Sequence, residues 1–349
     1  MIEALANAVG LGVHEPAFWM PLLFLGCFFV VIVAGTVLDG FDIGVGCLSL
    51  IAPESLRPRM LALLSPWRDA NEYWLFLGMG LFVTAFPKAW GPVMGSLYLP
   101  LCGLALGVML RSVSFEMRLR APSELQGKWQ VAFGLGSLVT AFVHGLLLAK
   151  VVVSFGQGPG YFWFGVFMGF CAVAAYVLLG ASWLIMREAG ELRARAVRWG
   201  SRAVRWFAAG AIGASVVLAL ANAGVLLKWS EGINRVAVLL LWGVLLLCFV
   251  SIEMCLQRMI NSSYRTTAIP FLLTLVVFLA VLSGLAFSFF PFLVLDEITI
   301  WDAAASVNVL RIILTAAMVA IPILVIFNIR VYWGMFGLSR PPLPPDYKR

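Results

Sequence analysis

Long apolar runs, separated by short segments that hold most of the charge, set the pattern of this chain. About 20 apolar residues suffice for a helix to cross a bilayer. Nine such runs are predicted, at about 17–51, 72–88, 91–113, 130–154, 161–186, 203–227, 235–257, 267–291 and 307–333. The second is short and nearly continuous with the third. Gly91-Pro92 marks the predicted break between them, because proline disfavours helix at the residue before it. Trp19, Trp74, Trp90, Trp129, Trp163, Trp229, Trp301 and Trp333 fall near predicted span ends, where aromatic rings anchor at the membrane interface. The pattern predicts an all-α polytopic membrane protein, with residues 1–349 forming one integral membrane domain.

The polar segments orient it. With span-end residues assigned to the nearer side, one side holds 19 of the 24 Lys and Arg. That bias predicts an N-terminus outside and a cytoplasmic C-terminus, and an eight- or ten-span count breaks it. An odd count accommodates two four-helix bundles, 17–154 and 161–291, plus a peripheral ninth helix at 307–333. The two bundles then run in the same orientation, as a parallel repeat about an axis along the membrane normal; parity alone carries this inference. The Pro-rich segment 340–349 is predicted to be an extended cytoplasmic tail.

Composition agrees. The chain is 62% hydrophobic and 12% charged, against about 25% charged in soluble domains, so a soluble protein is excluded. The net charge of +7 lies in short segments where it sets topology, which argues against nucleic acid as a partner. Six cysteines all lie in apolar runs with no C-x-x-C pair, so they read as small buried hydrophobes. The N-terminus lacks a basic region, which argues against a cleaved signal peptide.

Against this background the carboxylates of the first run stand out. Asp39 and Asp42 sit within Gly35-Thr36-Val37-Leu38-Asp39-Gly40-Phe41-Asp42-Ile43-Gly44-Val45-Gly46. An ionisable group inside a span costs about 2.5–3.5 kcal/mol on insertion scales. At about 100° per residue, Gly35, Asp39, Asp42 and Gly46 share an arc of about 60°. That face must meet another helix, another subunit or a water-filled path. It reads either as a polar packing face or as a proton or ion path.

A second polar stretch, Arg68-Asp69-Ala70-Asn71-Glu72-Tyr73-Trp74-Leu75, opens the second run from the basic side. Asp69 fits a helix N-cap or first-turn acid, and Asp69, Asn71 and Glu72 also make a polar patch suited to admitting protons. His14 precedes the first run and His144 lies in the fourth. Two histidines are too few for a multi-haem protein; His144 reads as a core residue, a ligand or a proton relay. Glu116, near Arg118 and Arg120, and Glu253, five residues before Arg258, read as ion-pair partners. No phosphate loop, dinucleotide fingerprint, nucleophile elbow or H-E-x-x-H occurs.

Leu38-Asp39-Gly40-Phe41-Asp42-Ile43-Gly44-Val45-Gly46 resembles the D-G-F-D-x-G-V-G motif of subunit II of cytochrome bd-type quinol oxidases, the cyanide-insensitive type included. Asp69-Ala70-Asn71-Glu72-Tyr73-Trp74-Leu75 is similar to that family's W-D-[GA]-N-E-x-W-L stretch. Leu99-Pro100, Arg111–Arg118, Gly180–Leu192, Phe290-Pro291-Phe292, Trp301-Asp302-Ala303 and Tyr332–Gly337 resemble later blocks, in order along nearly the whole chain. Three features depart from the pattern: Arg68 replaces a usual Trp, Glu188 replaces a usual Thr, and His144 matches no block.

The resemblance implies a heterodimer in the bacterial cytoplasmic (inner) membrane. A larger subunit I would ligate haems b558, b595 and d and bind quinol, and this chain would ligate no haem or metal. A small accessory membrane subunit and lipids are further expected partners. The implied complex oxidises quinol and reduces oxygen to water, with no activity expected of this chain alone. Asp69 and Glu72, then Asp39 and Asp42, would form a cytoplasmic proton path. Trp74 would line an oxygen path or act as a packing ring, and His144 and Glu253 are further polar groups inside the membrane. The rival readings are a proton-coupled secondary transporter and a purely structural subunit.

Overall fold

The computed structural model describes residues 2–64, 68–261 and 267–337. A short helix α1 (Ile2–Val9) precedes the 36-residue α2 (Pro16–Ile51). The chain continues through α3 (Arg57–Ala62), α4 (Arg68–Ala85), α5 (Pro87–Arg120), α6 (Ser123–Val152) and α7 (Pro159–Arg187). Then follow α8 (Gly190–Ala221), α9 (Ala223–Ser230), α10 (Gly232–Asn261) and α11 (Ile269–Phe289). A two-stranded antiparallel hairpin, β1 (Phe292–Val294) with β2 (Ile298–Thr299), leads to α12 (Ile300–Ala303) and α13 (Val307–Gly337).

Among the described residues, eight helices are long and apolar enough to cross a membrane: α2, α5, α6, α7, α8, α10, α11 and the Val307–Phe327 part of α13. The predicted second span is the exception. It forms α4, 18 residues long, but Arg68, Asp69 and Glu72 in its opening turns lower its apolar character. Its boundary with the next helix also differs from expectation. The break falls at Phe86, with Pro87 in the first turn of α5, where the missing N–H has no helical partner to lose. Gly91, Pro92 and Pro100 lie inside α5. The predicted sixth span ends early too. Asn222 stops α8, its side-chain amide donating to the carbonyls of Val152 and Leu218, and α9 starts afresh. The hairpin was not predicted from the sequence. The tail 340–349 and Pro66 lie outside the described residues.

Helix α2 is the centre of the packing. It lies against α7, α6 and α4, while α5 packs on α6, α7 on α8, and α10 on α11 and α8. Helix α13 touches α4 and α2 and is otherwise largely exposed. Residues 39–49 of α2 are all buried, the polar Asp39, Asp42 and Ser49 with the rest. Glycine explains how the chain gets so close there. A Cβ placed on Gly44 would stand 1.9 Å from the carbonyl oxygen of Tyr176, and one on Gly180 would stand 2.5 Å from the backbone of Gly44 and Val45. The α2–α7 crossing is therefore backbone against backbone, as small residues permit between helices in membranes. At the far end, Lys228 of α9 donates to the carbonyls of Phe287 and Phe290 (2.5 and 2.6 Å), which lie where α11 leaves its last carbonyls unpaired.

Gly44→Ala should cost at least about 3 kcal/mol, the upper end for overpacking, because the obstacle is backbone. Gly95→Ala, with open space around it, should be neutral or stabilising by up to about 1 kcal/mol. Melting temperatures of the two detergent-solubilised variants compare them directly.

Candidate functional site

The acidic face of α2 meets three helices of its own chain. Gly35 faces Trp74 of α4, where an added Cβ would come within 3.2 Å of the Trp74 Cβ. Asp39 pairs with Arg111 of α5, and Asp42 accepts from Asn71 of α4. Gly46 abuts Ser137 of α6. The arc drawn by helical spacing is thus a real seam, lined by α4, α5 and α6.

Arg111 joins the seam together. Its Nη2 donates to Asp39 Oδ1 and to Glu72 Oε1, the latter at 3.0 Å. The Ser112 hydroxyl donates to the same Glu72 carboxylate, 3.0 Å from Oε1 and 2.9 Å from Oε2. Asn71 Nδ2 donates to Asp42 Oδ2 at 2.8 Å. One guanidinium and two ion-paired carboxylates thereby form a polar cluster across α2, α4 and α5, with the amide-bonded Asp42 beside it. Arg111 and Asp42 are both 0% exposed. Local backbone makes this closeness attainable: Gly136 of α6 lets the backbone of Arg111 approach, since a Cβ there would lie 2.6 Å from the Arg111 nitrogen.

Burying these charges is expensive, at several kcal/mol per ion. At about 4 Å and an effective dielectric of about 20, a charge pair returns about 4 kcal/mol. Arg111 has two carboxylates at hydrogen-bond range, which offsets its desolvation better than one. A guanidinium is always protonated, so it contributes a fixed positive charge. The three carboxylates around it are the groups able to gain and lose protons.

The cluster opens onto a cavity of about 350 Å³. Its wall is mostly apolar, and Asp39, His144, Tyr176, Thr140 and the Trp74 ring are part of it. His144 Nδ1 lies 3.1 Å from the Tyr176 hydroxyl, so the histidine has a polar partner inside the core. His14 lies in an exposed turn before α2. Among the described residues, no three His, Cys, Asp or Glu side chains group as a metal site.

The other candidates separate from this site. Glu253 pairs with Arg205 of α8 (2.7 Å) and accepts from Gln257 (3.0 Å), whereas the sequence pointed to Arg258. Glu116 pairs with Arg120 at 3.6 Å, as spacing suggested. Glu188 accepts from Arg59 at 2.9 Å and ties α3 to the end of α7. Asp69 lies in the first turn of α4, but its side chain, like that of Arg68, lies outside the described residues. Sequence reasoning missed Arg111. It counted this residue among the cations that set topology, because it closes the predicted span 91–113. The available signal was a cation inside an apolar helix, in a chain whose first span already holds acids.

Arg111→Met should cost about 3–5 kcal/mol, since it removes the cation paired with buried Asp39 and half-buried Glu72. Arg111→Lys should recover only part of that loss, because an ammonium lacks the planar fork. Chemical or thermal unfolding followed by tryptophan fluorescence reads both.

Comparison with known proteins shows what the whole chain resembles. A family profile described as "Cytochrome bd terminal oxidase subunit II" matches residues 20–335. The chain is 24% identical over 363 aligned positions to the cytochrome bd-I ubiquinol oxidase subunit 2 of Escherichia coli K12, covering 88% of this chain and 92% of that one. It is 34% identical over 133 positions to the cytochrome bd ubiquinol oxidase subunit 2 of Bacillus subtilis, 37% of each chain. In fold it is similar to a chain from the structure of bd oxidase from Geobacillus thermodenitrificans, with a TM-score of 0.71 and 15% identity. That match covers 91% of this chain and 98% of the other.

Proposed function

The chain belongs to the family of cytochrome bd terminal oxidase subunit II, and we propose that it packs against a larger, haem-bearing subunit I and carries protons toward it. It is a multi-pass protein of the bacterial inner membrane and a subunit of a quinol-oxidising oxidoreductase complex. In the proposed complex, subunit I ligates haems b558, b595 and d and binds quinol, and oxygen is reduced to water there. This chain ligates none of them and has no oxidase activity alone.

The single observation that carries the proposal is the connected cluster Glu72–Arg111–Asp39, with Asn71–Asp42 beside it. Protons taken up near Asp69 and Glu72 at the start of α4 pass to Asp39 and Asp42 in α2. The fixed charge of Arg111 holds these carboxylates in one polar line through an apolar interior. Trp74 and the cavity beside it border an oxygen path.

The cluster also supports nine spans. The charges that set α4 apart are satisfied inside the protein, with Glu72 held by Arg111 and Ser112. At about 1.5 Å per residue, 18 residues span about 27 Å, close to a hydrocarbon core of about 30 Å. The charge bias then keeps the N-terminus outside and the C-terminus cytoplasmic, with two four-helix bundles and α13 at the periphery.

A purely structural role is the second reading, favoured by Arg111 tying three helices together. Glu72→Gln and Asp42→Asn in the assembled complex separate the two. The proton path predicts quinol-driven oxygen uptake reduced tenfold or more with haem content unchanged. Normal turnover at normal haem content overturns it, while haem and turnover lost together support the structural reading.

A further inference from the structure

The basic turns at the start of α8 are a surface the proton cluster does not use. Helix α8 has 32 residues, about 48 Å at about 1.5 Å per residue, so about 18 Å of it lies beyond a hydrocarbon core of about 30 Å. Arg195, Arg198, Arg202 and Arg205 occupy successive turns of its N-terminal half, followed by the exposed ring of Trp206. At about 100° per residue these five share an arc of about 100°. Exposed Val216 and Leu220 continue the same arc toward the other end of the helix, and exposed Ile212 borders it. One face of α8 therefore runs from guanidinium groups, through an interfacial tryptophan, to bare aliphatic side chains.

Two acids partly answer this charge. Arg195 pairs with Glu191 at 2.8 Å, and Arg205 with Glu253 of the neighbouring α10 at 2.7 Å. Arg198 and Arg202 are both exposed, and among the described residues neither is in an ion pair. They lie about two turns and one turn before Trp206, on the face that the exposed aliphatic side chains continue.

We propose that this face of α8 is a binding site for one anionic phospholipid. Arg198 and Arg202 hold the headgroup phosphate, Trp206 packs at the glycerol level, and an acyl chain lies along Ile212, Val216 and Leu220. Charge complementarity selects the occupant: juxtamembrane cations attract anionic lipid, each strengthening binding measurably. An anionic protein segment would match the arginines but would leave the aliphatic continuation uncovered.

The test uses the complete oxidase complex, equilibrated in vesicles of phosphatidylglycerol and phosphatidylcholine and then analysed by native mass spectrometry for retained lipid. The parent complex should keep phosphatidylglycerol in preference to phosphatidylcholine. The double variant Arg198→Gln, Arg202→Gln should lose that retention by on the order of tenfold or more. Arg198→Lys with Arg202→Lys should keep most of it, and this charge-conserving pair separates lost charge from damaged folding. Equal retention by the Gln variant and the parent overturns the proposal, as does a parent with no preference between the two lipids. A polypeptide captured by a photo-crosslinker at position 202, in place of lipid, overturns it as well.

Discussion

A guanidinium that cannot lose its proton, buried where water does not reach, dictates much of this structure. Arg111 is tolerable inside the membrane only because carboxylates from two other helices come to hydrogen-bond range. That requirement fixes α2, α4 and α5 against one another. It also explains the glycine of α6 behind Arg111: the backbone must sit deep enough for the side chain to reach Asp39 and Glu72 together. The intrusion of charge and the close packing around it are one arrangement. Neither persists without the other.

The sequence reveals the acids more readily than their partner. Asp39 and Asp42 stand in the middle of a 36-residue apolar helix, where charge has few explanations, and the arc through Gly35 and Gly46 points to a buried face. Arg111 lies at the end of an apolar run, where cations ordinarily mark the membrane edge. Only the packing of α5 on α6 brings it inward. Glu253 illustrates the same limit in reverse. A residue five positions away in sequence looked like its partner, but the tertiary neighbour Arg205 is nearer.

Helix boundaries follow a similar logic. Two prolines, Pro87 and Pro92, stand near the second junction, and local preference does not rank them. Pro87 wins because the first turn of a helix has no use for its missing N–H, and Pro92 is absorbed within α5. Helix α4 falls short of the other long helices as a span because charged residues crowd its opening turns, where Glu72 joins the cluster. The hydropathy that would identify it as a span is spent on the site. The other eight were legible from length and composition, since each keeps an 18-residue apolar window even where, as in α2 and α5, it also carries a charge of the cluster.

The contact of Gly44 with Tyr176 and Gly180 has a mechanical consequence. Helices that slide during a working cycle do so over side chains, which exchange rotamers and absorb the displacement. Here no side chain separates the two backbones, so relative travel would require the helices to part bodily. The crossing behaves as a weld, and the long helices on either side of it respond to load as one stiff member. A frame built this way keeps its geometry while the side chains it carries move.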